Sequence, residues 1–107
     1  MLFRSKILLI DPRAVSYSES LAGYFAAHAN GTIVGEPSAG ANGNVSRVEL
    51  PGGFDFRFTG MRVTTHDGKT FHTKGFQPDI VVKPTLEGIR AGRDEVLERA
   101  IEVAQGN

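Results

Sequence analysis

Apolar and polar positions divide the first third of the chain into a strand, a helix and a second strand. Residues 6–11 (KILLID) form a short apolar run ending at Pro12, which is typical of a strand covered on both faces. In residues 17–29 apolar side chains recur at helical spacing, and Asn30-Gly31 then ends the predicted helix. Residues 32–36 (TIVGE) form a second buried strand. These elements predict a β-α-β unit, whose crossover we expect to be right-handed.

The second half of the chain contains two patterns typical of β-hairpins. VSRVEL and FDFRFTG alternate apolar with polar residues on either side of the turn at residues 51–53. MRVTT and KTFHT flank residues 66–68, where the pair Asp67-Gly68 favours a tight turn. Residues 78–84 (PDIVVKP) contain a last short strand.

Residues 94–105 have the periodicity of an amphipathic helix. Asp94 is the predicted N-cap, and Glu95 is placed to pair with Arg99 one turn later. With no internal repeat or linker, residues 1–107 are predicted to form a single α/β domain.

Composition narrows the classes of function. A length of 107 residues suits one hydrophobic core, and twelve basic residues balance twelve acidic ones. This balance argues against a nucleic-acid or anionic-membrane binder, which needs a basic surplus. The chain has no cysteine, which excludes disulfides, a thiol nucleophile and a cysteine-ligated metal. No segment is long enough to cross a membrane. The compartment stays open, and an export signal would lie upstream of this chain.

The segment SYSES at the start of the predicted helix has two interpretations. Ser16 and Glu19 have the spacing of a capping box, in which the Ser16 side chain accepts from the Glu19 amide and Glu19 accepts from the Ser16 amide. The same position also suits a nucleophile, because helix N-terminal amides and the helix dipole favour negative charge. The Tyr17 amide would then stabilise an oxyanion. Local pattern alone does not separate the two.

Several motifs in a fixed order resemble one family. They are S-x-x-E (residues 16–19), G-E-P (residues 35–37), the P-G-G and F-T-G-M hairpins, and G-x-x-P-D (residues 75–79). Together they resemble the C-terminal part of the protease core of the S41 peptidases, which include the carboxy-terminal processing (tail-specific) and tricorn-core proteases. The resemblance runs from about Lys6 to the end of the chain. It implies a ClpP/crotonase-like α/β spiral, present here as a partial core, with Ser16 as nucleophile, the Tyr17 amide as oxyanion donor and Glu19 in support.

The sequence departs from this family where a general base is needed. Processing proteases have a lysine after the last glycine of the G-E-x-x-x-G loop, but Ala41 follows Gly40 here. This departure points to the tricorn-like branch, whose histidine and second oxyanion donor lie in an N-terminal part that this chain lacks. We therefore expect about half of a catalytic core, which would be a poor enzyme alone. Within the chain, His72 is the best candidate base, although a lone strand histidine is more often structural.

Two further features have a structural and a functional interpretation. The loop of residues 36–44 either connects strands or borders a peptide cleft, in which case Gly40, Ala41, Asn42 and Gly43 would bind substrate. It lacks the G-K-[ST] of a phosphate-binding loop. The phenylalanines of the hairpin region, Phe54, Phe56, Phe58 and Phe71, indicate core packing or a subunit contact, or else a substrate-facing wall. His28, His66 and His72 lack metal-ligand spacing, so we expect no metal. The resemblance implies no organic cofactor.

Two hypotheses follow. The first is the C-terminal half of a serine peptidase core, acting on a peptide or protein substrate through an acyl-enzyme. The alternative is a non-catalytic module of the same fold that binds peptides or assembles with itself. An acyl-CoA-handling relative has the architecture but none of these motifs. A partial core would leave the edge of residues 6–10 and one face of the helix uncovered, so we expect homo-oligomers or pairing with an N-terminal half.

Overall fold

Eight elements build the chain in the computed structural model, which describes residues 5–106. They are β1 (Ile7–Ile10), α1 (Tyr17–His28), β2 (Thr32–Gly35), β3 (Val45–Leu50), β4 (Phe54–Thr59), β5 (Ile80–Val81), α2 (Leu86–Arg90) and α3 (Glu95–Ala104). The predicted strand–helix–strand unit, the first hairpin, the last strand and the C-terminal helix are confirmed. Residues 1–4 and 107, at the ends of the predicted domain, lie outside the described residues.

Three parallel strands form the main sheet in the order β1-β2-β5. Leu8 and Ile10 of β1 pack with Ile33 of β2 against Ala22 and Phe25 of α1. The central strand β2 is buried almost throughout, as its sequence predicts.

Strand β1 is less covered than we expected. Leu9 is 41% exposed and borders an open cavity of about 660 Å³, which Pro84 and Val96 also line. This strand lies at the sheet edge, and α3 covers only part of its second face. The prediction of a strand covered on both faces is therefore correct for β2 and wrong for β1.

The second predicted hairpin is reduced to a single bridge between Thr64 and Thr70. The Thr65 hydroxyl accepts from the Lys69 amide at 3.1 Å, and the Thr65 carbonyl accepts from Gly68 N at 2.9 Å. These local bonds replace a strand ladder. Phe71 then turns into the core, where it is fully buried. The expectation of strands on both sides of residues 66–68 is wrong for these reasons.

The C-terminal part contains a short helix that the sequence did not indicate. Helix α2 begins at the N-cap Thr85, whose hydroxyl accepts from Gly88 N at 2.9 Å. Asp94 caps α3 as predicted, accepting from Leu97 N at 3.0 Å. The predicted pairing of Glu95 with Arg99 is wrong. Glu95 accepts from the Thr85 amide at 2.6 Å instead, because α2 brings that amide to the start of α3.

Hairpin β3–β4 has one apolar and one charged face. The register places Val48 opposite Phe56 and Leu50 opposite Phe54, with their side chains on one face. Arg47, Glu49, Asp55 and Arg57 share the other face. The three hairpin phenylalanines are all exposed, with Phe54 at 71%. Core packing is therefore confirmed for Phe71 and wrong for Phe54, Phe56 and Phe58 within this chain.

Two further surfaces are uncovered, as expected for a partial core. Strand β1 pairs only with β2 among the described strands, so its outer edge is open. Helix α1 exposes Tyr17, Leu21 and Tyr24 along one stripe. No helix within residues 5–106 combines the length and apolar character needed to span a bilayer.

Candidate active site

Ser16 lies between β1 and α1 in an unusual backbone conformation. Its φ is 54° and its ψ is −115°, a region of positive φ that a residue with a Cβ rarely adopts. Its amide is held twice, by the carbonyl of Ala41 at 2.9 Å and by Oε2 of Glu19 at 3.0 Å. The residue itself is exposed. The surrounding chain therefore fixes the backbone of Ser16 while its side chain faces solvent.

The predicted capping box is present at the start of α1. The Ser16 side chain faces the Glu19 amide, although it lies outside the geometry of a side-chain capping hydrogen bond. The Glu19 amide donates instead to the Ser16 carbonyl at 3.0 Å. The carboxylate half, from the Ser16 amide to Glu19, is present. Ser16 and Glu19 thus cap the start of α1 as the sequence predicts.

The amide of Tyr17 is the first of α1 and has no intrahelical acceptor. Within residues 5–106 no backbone carbonyl accepts from it. Tyr17 itself is 81% exposed. An unused amide next to an exposed serine is the arrangement that an oxyanion donor requires.

Glu19 is completely buried and accepts four hydrogen bonds. Oε1 accepts from Ser38 Oγ and from Gly40 N, both at 2.7 Å. Oε2 accepts from Ser16 N at 3.0 Å and from Ala41 N at 3.1 Å. A buried carboxylate is tolerated only when its oxygens are satisfied in this way. Glu19 therefore ties the start of α1 to the loop of residues 36–44.

The loop of residues 36–44 packs closely on the turn at residues 73–75. Gly40 has a φ of +70°, and a Cβ there would lie 2.7 Å from the amides of Lys74 and Gly75. The Gly40 carbonyl accepts from Thr73 N at 2.9 Å. This close approach requires glycine.

The four predicted substrate-binding residues differ in exposure. Gly40 is buried, Ala41 is exposed, and Asn42 and Gly43 are half-buried. Asn42 Nδ2 donates to Ser20 Oγ at 3.0 Å, and Asn42 Oδ1 accepts from the amide of Gly43 at 2.9 Å. Ala41 thus lies beside the anchored amide of Ser16, and Asn42 contacts α1 at Ser20.

A cavity of about 340 Å³ begins beside this loop and runs along α1. Glu19, Ser20 and Asn42 line the end that belongs to the site. Its remaining lining comes from α1, from residues 63–66 and from two phenylalanines, namely Gly23, Tyr24, Ala27, His28, Val63, Thr64, Thr65, His66, Phe71 and Phe76.

The histidines occupy separate positions. Nε2 of His72 lies 2.9 Å from the amide of Val63 and 3.0 Å from the carbonyl of Met61, so the ring is bound to the backbone. No hydrogen bond joins it to Ser16 in the described part of the chain. The rings of His28 and His66 lie 6.1 Å apart at the cavity.

Two other observations complete the polar chemistry. In the turn after His66, hydrogen bonds from Lys69 and Thr65 lower the pKa of Asp67 to about 2. Among residues 5–106 no group of three or more histidine, aspartate or glutamate side chains could hold a metal ion.

Sequence reasoning missed Ser38, whose hydroxyl bonds to both Glu19 and the Phe76 amide. It also missed the fit of Gly75, where a Cβ would lie 2.3 Å from the Ser38 carbonyl oxygen. A serine in a glycine-rich loop carries no local signal for a partner 19 residues away. Only the G-x-x-P-D motif marked Gly75.

Comparison with known proteins gives the family of the chain. Peptidase family S41 matches residues 4–82, which is most of the chain. The chain belongs to Peptidase family S41. The family match makes this a protease-related chain. A search of curated protein sequences gave no significant match for this S41 chain.

Solved structures of peptidases share the fold of this S41 chain. A "putative peptidase" from Parabacteroides merdae ATCC 43184 is 27% identical with a TM-score of 0.87 over 96% of this chain. Mature CPAF complexed with lactacystin is 25% identical with a TM-score of 0.76 over 92%. The photosystem II D1 C-terminal processing protease is 29% identical with a TM-score of 0.56 over 82%. The matches cover 32%, 19% and 24% of those chains, so this S41 chain spans a third of their length or less.

Proposed function

We propose that this chain carries the nucleophile of an S41 serine peptidase and that Ser16 is that nucleophile. The observation that carries the proposal is the strained backbone of Ser16, held by Glu19 and Ala41 while the side chain stays exposed. Strain of this kind persists where the surroundings impose it, and it clusters at active sites. The family and the fold make peptide bonds the expected target.

In the proposed reaction Ser16 Oγ attacks the scissile carbonyl while a base takes its proton. The Tyr17 amide donates to the oxyanion of the tetrahedral intermediate. Collapse of the intermediate breaks the peptide bond, and the base returns the proton to the leaving amine. Water then attacks the acyl-enzyme, releases the second product and restores the serine hydroxyl. Neither a metal nor an organic cofactor enters these steps.

We place the base and a second oxyanion donor outside the described residues, as the resemblance to the tricorn-like branch implies. His72, the candidate within the chain, has its Nε2 atom engaged by the backbone of residues 61–63. The 107 residues alone should therefore have little activity.

We further propose that Ala41, Asn42 and Gly43 border the substrate backbone and that the buried Gly40 supports them. Ala41 is exposed beside Ser16, and the Asn42 amide group is already oriented by Ser20. The cavity of about 340 Å³ along α1 begins at Asn42 and would lie next to a bound peptide.

Fluorophosphonate labelling of the full-length protein that contains this chain tests the proposal. We expect the wild type to be labelled at Ser16 and the Ser16→Ala variant to be unlabelled. Ser18→Ala is the matched control, since Ser18 is an exposed serine on the same turn whose hydroxyl donates to the Val15 carbonyl. Labelling that survives Ser16→Ala would refute the proposal.

A non-catalytic module is the second candidate, and the exposed apolar face of hairpin β3–β4 favours it. Such a face suits a peptide or a second copy of the chain. If the wild type is never labelled while peptides still bind it, this alternative replaces the first.

A further inference from the structure

Ser38 is a buried hydroxyl that the proposed reaction does not use. It lies in the loop between β2 and β3 and is 6% exposed. Its Oγ donates to Oε1 of Glu19 at 2.7 Å and accepts from the Phe76 amide at 2.8 Å. Its own amide donates to the Phe76 carbonyl at 3.1 Å. Ser38 therefore joins the turn at residues 73–76 to the buried carboxylate.

Two hydrogen bonds separate Ser38 from the backbone of Ser16. The first runs from Ser38 Oγ to Oε1 of Glu19, and the second runs from the Ser16 amide to Oε2 of the same carboxylate. The Gly40 and Ala41 amides supply the remaining two donors. Loss of the Ser38 hydroxyl would leave Oε1 with one donor instead of two, so the carboxylate would be held less firmly and a small rotation away from Ser16 would cost less.

Because of the conformation of Ser16, such a rotation would displace the residue. At a φ of 54°, the residue stays in place only because its surroundings hold its amide. Glu19 is one of the two acceptors of that amide. A small change in the carboxylate would therefore move the proposed nucleophile, and misplacement by about 1 Å can reduce a rate about 100-fold.

We propose that Ser38 is a positioning residue for Ser16, acting through the Glu19 carboxylate, and that it couples the turn at residues 73–76 to the nucleophile. The inference rests on the proposed function of Ser16. It assigns no contact between Ser38 and substrate, because the hydroxyl is buried and both of its partners are protein groups.

The chain contains a matched control for the chemical change. The Thr85 hydroxyl also accepts from a backbone amide, that of Gly88, and donates to a glutamate, Glu95, at 3.1 Å. Thr85→Ala thus removes the same pair of hydrogen bonds at the start of α2. Thr85 has no role in the proposed site.

The experiment measures inactivation of the full-length protein by a fluorophosphonate and separates the binding constant of the reagent from the rate constant of the covalent step. We expect Ser38→Ala to lower the covalent rate constant about 10- to 100-fold. The binding constant should change less than about twofold, since Ser38 does not contact the reagent. Thr85→Ala should keep both constants near wild type. If Ser38→Ala does not fold, Ser38→Cys carries the test, with its weaker donor and the same expected direction.

Each outcome either supports or overturns the positioning role of Ser38. A folded Ser38→Ala protein that reacts at the wild-type rate overturns the inference while the role of Ser16 stands. An equal loss of rate in Thr85→Ala would show a general effect of destabilisation and would also overturn it. A wild-type protein that never reacts overturns the proposed function itself, and the role of Ser38 with it.

Discussion

At the scale of single residues, Glu19 organises the site. The ion pairs among residues 5–106 all lie at the surface and do not include Glu19, so hydrogen bonds rather than a cation compensate its buried charge. Exposed ion pairs contribute little to stability, whereas hydrogen bonds to a buried charge contribute more. We therefore expect the four hydrogen bonds to Glu19 to contribute more to stability than these surface ion pairs.

Replacement of Glu19 by glutamine should destabilise the chain although the shape is conserved. The glutamine NH₂ group would face two of the four donors, which leaves buried donors without acceptors. We expect the free energy of unfolding to fall by about 2–4 kcal/mol. Urea unfolding measures this loss. Glu102→Gln is the control, because Glu102 pairs only with Arg99 at the surface and should change stability by less than about 0.5 kcal/mol. Equal effects of the two changes would contradict the role of Glu19.

The sequence predicted only part of this arrangement. S-x-x-E spacing indicated that Glu19 would reach the Ser16 amide, and it does. The other three donors come from residues 19 to 22 positions away, and their approach depends on how the loop of residues 36–44 folds back over α1. Tertiary contacts of this kind leave no local pattern, so Ser38 could not be predicted.

At the scale of elements, predictions succeeded where burial decided the structure. The apolar run of β2 is buried, and α1 and α3 form where their periodicity predicts them, although Ala22 and Ala100 are the apolar residues that each helix buries. The segment MRVTT-HDG-KTFHT also alternates, but the Thr65 hydroxyl and the burial of Phe71 take its backbone out of a ladder. Helix α2 was missed because its five residues include Gly88 and its start depends on Glu95 from another helix.

The junction of α2 and α3 gives a prediction at this scale. Glu95 bonds to both the amide and the hydroxyl of Thr85, whereas Arg99 reaches only Glu102. Glu95→Ala should therefore lower the free energy of unfolding by about 1–2 kcal/mol, and Arg99→Ala by less than about 0.5 kcal/mol. Chemical denaturation of both variants measures the difference. Equal losses would favour the i,i+4 pair indicated by the sequence.

At the scale of the whole molecule, the chain has a small core and large uncovered apolar surfaces. Within residues 5–106 six apolar residues are buried, and this part of the chain extends 58 Å along its longest axis. The face of β3–β4 that carries Phe54, Phe56 and Phe58 is the most continuous uncovered surface. Exposed apolar surfaces on this scale mark sites of interaction. The fold thus suits a chain whose hairpin face packs against a second copy of the chain or against another protein.

We therefore predict that the 107-residue chain self-associates through this hairpin face. Phe56→Glu should weaken the association by about tenfold or more, because burying a phenylalanine contributes about 1.5–3 kcal/mol and a buried glutamate would lack a partner. Val45→Glu is the matched control, since Val45 is also exposed but lies on the charged face of the same hairpin. Sedimentation velocity over a concentration series measures both variants.

A wild-type chain that stays monomeric at high concentration would exclude self-association. Equal weakening by the two variants would instead place the contact elsewhere on the molecule, with the open edge of β1 as the next candidate.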